Sequence, residues 1–232
     1  MALVEANISV SVDGYVTGPG VEQTAGLGAG GEALHAWVHD EQGRRLLDDE
    51  FATWGAVITS RRVYEDTGGW GEDGYLLPPR PSRGNAVGGG SDRHPPRPPR
   101  GDTGGSNRLP PRPSRDDAVG SDRMPIFVVT HRPHEPVVKS ATTFTFVTEG
   151  IVAAVARAAE AAGDKVVSIM GGASIIRQAV DAGLVDRLRL NLAPVLLGSG
   201  TRLFGGGVPA RLLLTAHQDT PHATHLTYQV VR

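Results

Sequence analysis

Residues 166–180 read VVSIMGGASIIRQAV. Val166, Val167, Ser168 and Ile169 form a short run of the buried-strand kind. Met170 leads into Gly171-Gly172, and from Ala173-Ser174 onward Ile175, Ile176, Ala179 and Val180 recur at helical spacing. A strand that passes through paired glycines directly into a helix is a building unit of a parallel sheet with helices on its faces. The turn also suits a ligand. Glycines let a ligand approach the backbone, and free amides at a helix start attract a phosphate. In a doubly wound sheet the ligand sits at such a turn, outside the carboxyl end of a strand. Taken alone, a glycine pair is equally consistent with a tight turn that binds nothing.

The flanking sequence repeats the alternation. Val4, Ala6, Ile8, Val10 and Val12 fall at period two, as in a strand with one polar face. AVIT at 56–59, IFVVT at 126–130 and FTFV at 144–147 read as further strands. Ile151, Val152, Val155, Ala158, Ala159 and Ala162 make a helical stripe that ends at Gly163. LRLNLAPVLL, ARLLLTA and THLTYQVV at the end of the chain read as antiparallel strands joined by polar turns. The expected fold is therefore α/β and three-layered, with a mostly parallel central sheet, helices on both faces and an antiparallel C-terminal edge.

One segment departs from this pattern. Residues 77–123 are three tandem copies, LPPRPSRGNAVGGGSDR, HPPRPPRGDTGGSNR and LPPRPSRDDAVGSDR, with ten prolines, eight glycines and nine arginines. Proline blocks ladders and helices, and there is little apolar surface to offset the entropy of ordering. The copies lack the hydrophobic face a solenoid repeat must bury. They read as a disordered insertion in one domain spanning 1–232. Nine arginines could contact phosphates, but five interspersed aspartates and the lack of aromatics argue against nucleic acid.

The whole chain has 232 residues and a formal net charge of −2, without a bias toward nucleic acid or membrane. It has no cysteine, which closes disulfide, thiolate-metal and thiol-nucleophile chemistry. The start, MALVEANISV, has no basic segment and no long apolar segment, so the expectation is a cytoplasmic protein without a membrane span.

Other candidate motifs are weaker. Gly26, Gly28 and Gly31 fit G-x-G-x-x-G, but VEQTA before them is no apolar strand, so the match reads as a loop leading into a helix at GEALHAWV. His35/His39 and His217/His222/His225 lack the carboxylate partners of a metal site, and no metal is expected. Ser60-Arg61-Arg62 and Thr130-His131-Arg132 each follow a strand. Two cationic turns at one sheet edge suit a shared anionic ligand, in particular the 2′-phosphate of NADPH.

In order, ANISVSVDGYVTGP, AVITSRR, GWG, PIFVVTHRP, TFTFVTEGI, IMGGASIIRQ and GLVDRLRLNLAPVLLGSGTRLF resemble the dihydrofolate-reductase-like superfamily. The similarity is to stand-alone bacterial relatives of the reductase domain of riboflavin biosynthesis, and it covers 1–74 and 124–232. It implies an NADPH-dependent reductase that transfers hydride to a C=N or C=O bond of a small heterocycle, pteridine- or pyrimidine-like. By the resemblance Gly171, Gly172, Ala173 and Ser174 meet the pyrophosphate, with a cis peptide between the glycines. It places Ser60, Arg61 and Arg62 at the adenosine phosphate, Thr130, His131 and Arg132 beside the ribose, and Val16 and Thr17 near the nicotinamide. Asp13 is the candidate proton donor. The expected partner is a small-molecule substrate, and the assembly states include a homodimer. The chain differs from the riboflavin reductases where they carry a first-strand lysine and a glutamate before the glycine pair, having Asn7 and Met170. A non-catalytic dinucleotide-binding protein on this fold is the alternative, as is an anionic-partner-binding protein acting through the repeats.

Overall fold

In the computed structural model, residues 2–21, 26–67, 124–139 and 142–231 are described. The insertion expected at 77–123 lies outside these residues. The strands are β1 (Val4–Ser11), β2 (Trp54–Ser60), β3 (Ile126–Val129), β4 (Val137–Lys139), β5 (Thr142–Val147), β6 (Val166–Ile169), β7 (Arg187–Ala193), β8 (Arg211–Thr220) and β9 (Ala223–Val231). The helices are α1 (Glu41–Thr53), α2 (Arg61–Asp66), α3 (Ile151–Ala162) and α4 (Ala173–Asp181), with a 3-10 helix over Gly31–His39 before α1.

The strands form one sheet in the order β4-β5-β3-β2-β6-β1-β7-β9-β8. Neighbours from β5 through β7 are parallel, while β4, β9 and β8 pair antiparallel. This is the three-layer α/β arrangement expected from the sequence, including its antiparallel C-terminal edge. Because successive side chains alternate between faces, each strand splits into two sets. Val167 and Ile169 of β6, Ala6 of β1, and Ala56 and Ile58 of β2 face α3 and α4, packing with Ala154, Ala158, Ile175 and Ile176. Val57, Ile126, Val128 and Phe144 face the other way, against Trp54 and Phe51.

Two local departures have physical causes. GEALHAWV forms a 3-10 helix rather than an α-helix. Its buried Gly31, Leu34 and Trp37 recur every three residues, the 3-10 period. α1 has only a short apolar set, so no stripe marks it in the sequence. Its start is nonetheless well defined, because the Asp40 side chain accepts from the backbone amides of Gln42 and Gly43.

Candidate functional site

All the parallel strands point their carboxyl ends to one edge, and the candidate turns meet there. The turn after β6 is held by the end of β2. Ser60 donates its backbone N–H to Gly171 O at 2.9 Å. Its hydroxyl accepts from Gly172 N at 3.2 Å and from Val63 N at 3.3 Å, so one side chain caps α2 and fixes the glycine turn. Thr59 Oγ1 donates to Gly171 O at 3.3 Å. The Gly171-Gly172 peptide is cis, as the resemblance implied, and Gly171 has φ 97°.

α4 opens immediately after that turn. No side chain caps it, and Ile176 N to Gly172 O, 3.4 Å, is its first ladder bond. The amides of Ala173, Ser174 and Ile175 precede the ladder, as at any helix start, and face the sheet edge with the partial positive charge of the helix. Ser174 is exposed and accepts from Gln178 Nε2 at 3.1 Å.

Arg61 and Arg62 lie next door on α2. Arg61 pairs with Glu65 at 2.5 Å, and Arg62 with Asp66 at 3.4 Å and with the carbonyl of Val21. Thr130 is buried at the end of β3, where its hydroxyl accepts from Arg132 N at 3.1 Å, leaving His131 and Arg132 exposed. In strand order β3-β2-β6, the three turns are neighbours along one edge.

Val16 and Thr17 follow β1 on the same edge. Val16 N donates to Thr201 O at 2.8 Å and Thr201 N to Thr17 Oγ1 at 3.0 Å. Gly200 has φ 127°, and a β-carbon there would lie 2.0 Å from Thr17 O. The Gly198–Gly200 turn is thus a backbone clamp on residues 16–18. Asp13 takes part in the same clamp. It accepts from Ser11 Oγ at 2.6 Å, Gly198 N at 2.7 Å and Leu197 N at 3.1 Å. Chiefly through the Ser11 hydroxyl, its pKa is lowered to about 2. With three donors on its carboxylate, Asp13 ties the β1 turn to the Gly198–Gly200 turn as an acceptor.

Two features have no role in the sequence reading, one at the site edge and one away from it. Thr148, Glu149 and Gly150 follow β5 at the same edge, and α3 starts at an uncapped Gly150. A strand-glycine-helix junction is the sequence signal for it. The second is a polar chain across β1, α1, β7 and β9. His225 Nδ1 lies 2.7 Å from Asn191 Oδ1, Asn191 Nδ2 donates to Asn7 Oδ1 at 3.0 Å, and Asn7 Nδ2 donates to Glu50 Oε2 at 2.7 Å. Arg189 pairs with Glu50 and Arg187 with Glu5 at 2.5 Å. Burial pushes the Glu50 pKa up, against the pull of Arg189. The chain borders a cavity of about 340 Å³. That cavity lies toward the amino end of β1, and at ~3.3 Å per residue Glu5 is roughly 20 Å from Ser11. Its charges are largely matched by one another, so it reads as the anchor of α1 on the sheet. The loop containing Gly26 and Gly28 leads into the 3-10 helix, of which Gly31 is the first residue. A β-carbon at Gly28 would lie 2.5 Å from Gly18 O, so close packing on residues 18–19 accounts for that glycine.

The profile of the RibD C-terminal domain family matches residues 2–226. The chain belongs to that family. RibD-type reductases are oxidoreductases that typically use a nicotinamide cofactor. Among solved structures, the chain is similar to a putative riboflavin biosynthesis protein from Shewanella sp. PV-4, with 16% identity, full coverage of both chains and a TM-score of 0.57. It is also similar to a pyrimidine reductase-like protein from Corynebacterium diphtheriae, with 16% identity, 100% of this chain, 92% of that one and a TM-score of 0.55. A diaminohydroxyphosphoribosylaminopyrimidine deaminase/5-amino-6-(5-phosphoribosylamino)uracil reductase from Thermotoga maritima matches at 12% identity and TM-score 0.56, over 99% of this chain and 57% of that one. At these identities the likeness shows the fold. No curated protein matches the chain. Among the described residues no helix is long and apolar enough to cross a membrane.

Proposed function

We propose that this RibD-type domain is an NADPH-dependent reductase acting on a C=N or C=O bond of a small, flat pyrimidine- or pteridine-like heterocycle. The observation that carries the reading is the meeting of Ser60–Arg62, Thr130–Arg132 and Gly171–Ser174 at the carboxyl ends of three neighbouring strands. The donors fit a dinucleotide: ladder-free amides at the start of α4 suit a pyrophosphate, and two arginines on α2 suit a third phosphate. Surface ion pairs such as Arg61–Glu65 are worth at most about 1 kcal/mol, so the Arg61 guanidinium can turn to a phosphate at little cost, while Arg62 would also give up its bond to the Val21 carbonyl. When bound, the cofactor supplies the hydride. The chain's own part is to hold Val16 and Thr17 in place through the Gly200 clamp, to orient both reactants and to exclude water.

The test is calorimetric titration with NADPH and NADH, followed by a screen of oxidised pyrimidines and pterins for NADPH oxidation. Failure to bind either nucleotide overturns the reading. Binding with no turnover on any candidate favours the second reading, a dinucleotide-binding protein without catalysis. That reading is supported by Asp13 being locked as an acceptor.

A further inference from the structure

At the carboxyl edge the two faces of the sheet are covered differently. On one, α4 begins at the glycine turn itself and packs with α3 against Ala6, Ile58 and Ile169. Side chains alternate between faces, so the opposite face, on the side of α1, α2 and the 3-10 helix, receives Asn7, Ser9 and Ser11 from β1 and Thr59 from β2. Met170, the residue after β6, packs on the same side. Ala6 and Ile58 both pair with Ile169. One step further along, Asn7, Met170 and Thr59 therefore make a row across three strands.

None of these side chains is ionisable, and the polar ones are already engaged. Asn7 Nδ2 donates to Glu50 Oε2 at 2.7 Å and Asn7 Oδ1 accepts from Asn191 Nδ2 at 3.0 Å. Ser9 Oγ accepts from Trp37 Nε1 at 3.0 Å. Ser11 Oγ donates to Asp13 at 2.6 Å and accepts from Tyr15 N at 2.9 Å. Thr59 Oγ1 donates to Gly171 O at 3.3 Å. Asn7 and Thr59 are 6% and 0% exposed, whereas Met170 is partly exposed. What the row offers a ligand is a thioether.

We propose that Met170 makes the site selective for an uncharged substrate, whose buried edge packs on the thioether and carries neither carboxylate nor phosphate. The inference rests on the reductase reading above. With the nicotinamide beside Val16 and Thr17 and the pyrophosphate at Gly171–Ser174, the reacting ring lies over the ends of β1 and β6. A neutral ring gains there by leaving water, and an unbranched, polarizable side chain adapts to its shape. An anionic group in the same place would lose its hydration and find no partner, which is costly. The arginines on that face of β7 are committed, Arg189 to Glu50 and Arg187 to Glu5. Arg61 and Arg62 belong, in the same reading, to the nucleotide. Discrimination comes from what the site withholds, a partner for charge.

Equilibrium binding to the full chain loaded with NADP+, which has no hydride to transfer, tests this with matched probes. They are uracil against orotate, its carboxylate, and pterin against pterin-6-carboxylate. The neutral member of each pair should bind about tenfold more tightly or better, the factor that 1.4 kcal/mol gives. Met170→Lys should remove most of that preference by giving the carboxylate a partner, with the melting temperature reporting that the variant is folded. Should Met170→Lys not fold, Met170→Gln takes its place and should narrow the preference through its amide donors. Equal or tighter binding of the carboxylates by the wild type overturns the inference. So does a preference that the folded variant leaves unchanged, or binding of none of the probes. Each of these results leaves the nucleotide site standing, because NADP+ binding is measured first. A chain that binds no nucleotide overturns both readings.

Discussion

The hydroxyl of Ser60 lies 3.2 Å from the backbone nitrogen of Gly172 and accepts its hydrogen bond. Through this one atom the end of β2, the start of α2 and the turn before α4 share a common fixed point. Ser60→Ala leaves the amides of Gly172 and Val63 without that acceptor. Loss of an N-cap costs about 1 kcal/mol, and the second freed amide adds a similar amount. We expect thermal unfolding to report a loss of about 1–2 kcal/mol. Nucleotide affinity should also fall several-fold, since the turn is no longer held. Unchanged affinity in a destabilised variant would separate the turn from the binding site.

Arg61 and Arg62 supply the second prediction. If they hold a 2′-phosphate, changing both to Ala should weaken NADPH tenfold or more and leave NADH nearly unaffected. Charge-assisted hydrogen bonds are worth roughly 1.5–3 kcal/mol each, and 1.4 kcal/mol is a factor of ten. The pairs with Glu65 and Asp66 are helix-surface pairs worth little, so the stability lost should come mainly from the Arg62 bond to the Val21 carbonyl, about 1 kcal/mol. The check is titration of both nucleotides on the variant. Equal weakening of the two would remove the arginines from a phosphate-selective role.

The fold was legible where the sequence has a clear period. β1 alternates strictly, and α3 carries an alanine-rich apolar stripe. VVSIMGGAS announces its strand, turn and helix in nine residues. α1 was not legible, since EQGRRLLDDEFAT shows too few apolar residues for a stripe and its helix rests on the Asp40 cap and tertiary contacts. The site was legible as separate turns, each after a strand, but their adjacency is a product of strand order. Ser60 and Gly172 are 112 residues apart, and nothing local in either segment announces their bond. The polar chain from His225 to Glu50 was hidden for the same reason, as its members come from β9, β7, β1 and α1. The three hydrogen bonds that Asp13 accepts were not legible either, because two of their donors, Leu197 and Gly198, lie more than 180 residues away.

That polar chain gives a pH dependence. Burial, followed by the charge of Arg189, lowers the His225 pKa from its usual value of 6.5 to about 4. The unfolded chain therefore binds this proton more readily than the folded one. The stability from keeping His225 neutral is fully present above pH 6.5 and is lost progressively as the pH falls toward 4. Its size is roughly 1–3 kcal/mol, at 1.36 kcal/mol per pKa unit less the relaxation of the site around the buried imidazole. Denaturant midpoints at pH 7.5 and pH 4.5 should differ in the wild type. In His225→Gln, which keeps hydrogen-bonding capacity without the titration, the difference should shrink. An equal difference in both proteins would assign the pH dependence to other groups.

The two glycines of the turn make a paired experiment that separates binding from folding. Gly172 has φ −75°, an ordinary value, and a β-carbon there would lie 3.6 Å from Ser60 Oγ and 3.9 Å from Val63 Cγ2, which is normal contact. The chain itself has room for Gly172→Ala, and its melting temperature should stay within a few degrees of wild type. Gly171 is different. Its φ of 97° is a conformation that residues with a β-carbon adopt at a cost of about 1–2 kcal/mol, so Gly171→Ala should unfold earlier. If the pyrophosphate lies against this backbone, Gly172→Ala should lose nucleotide affinity by tenfold or more while remaining folded, because the only thing the new methyl can obstruct is the ligand. Measuring affinity and melting temperature on both variants gives four numbers, and the assignment requires that binding fail at Gly172 where stability does not. A Gly172→Ala protein that binds NADPH as tightly as wild type would take the turn out of the site, and the proposed reductase with it.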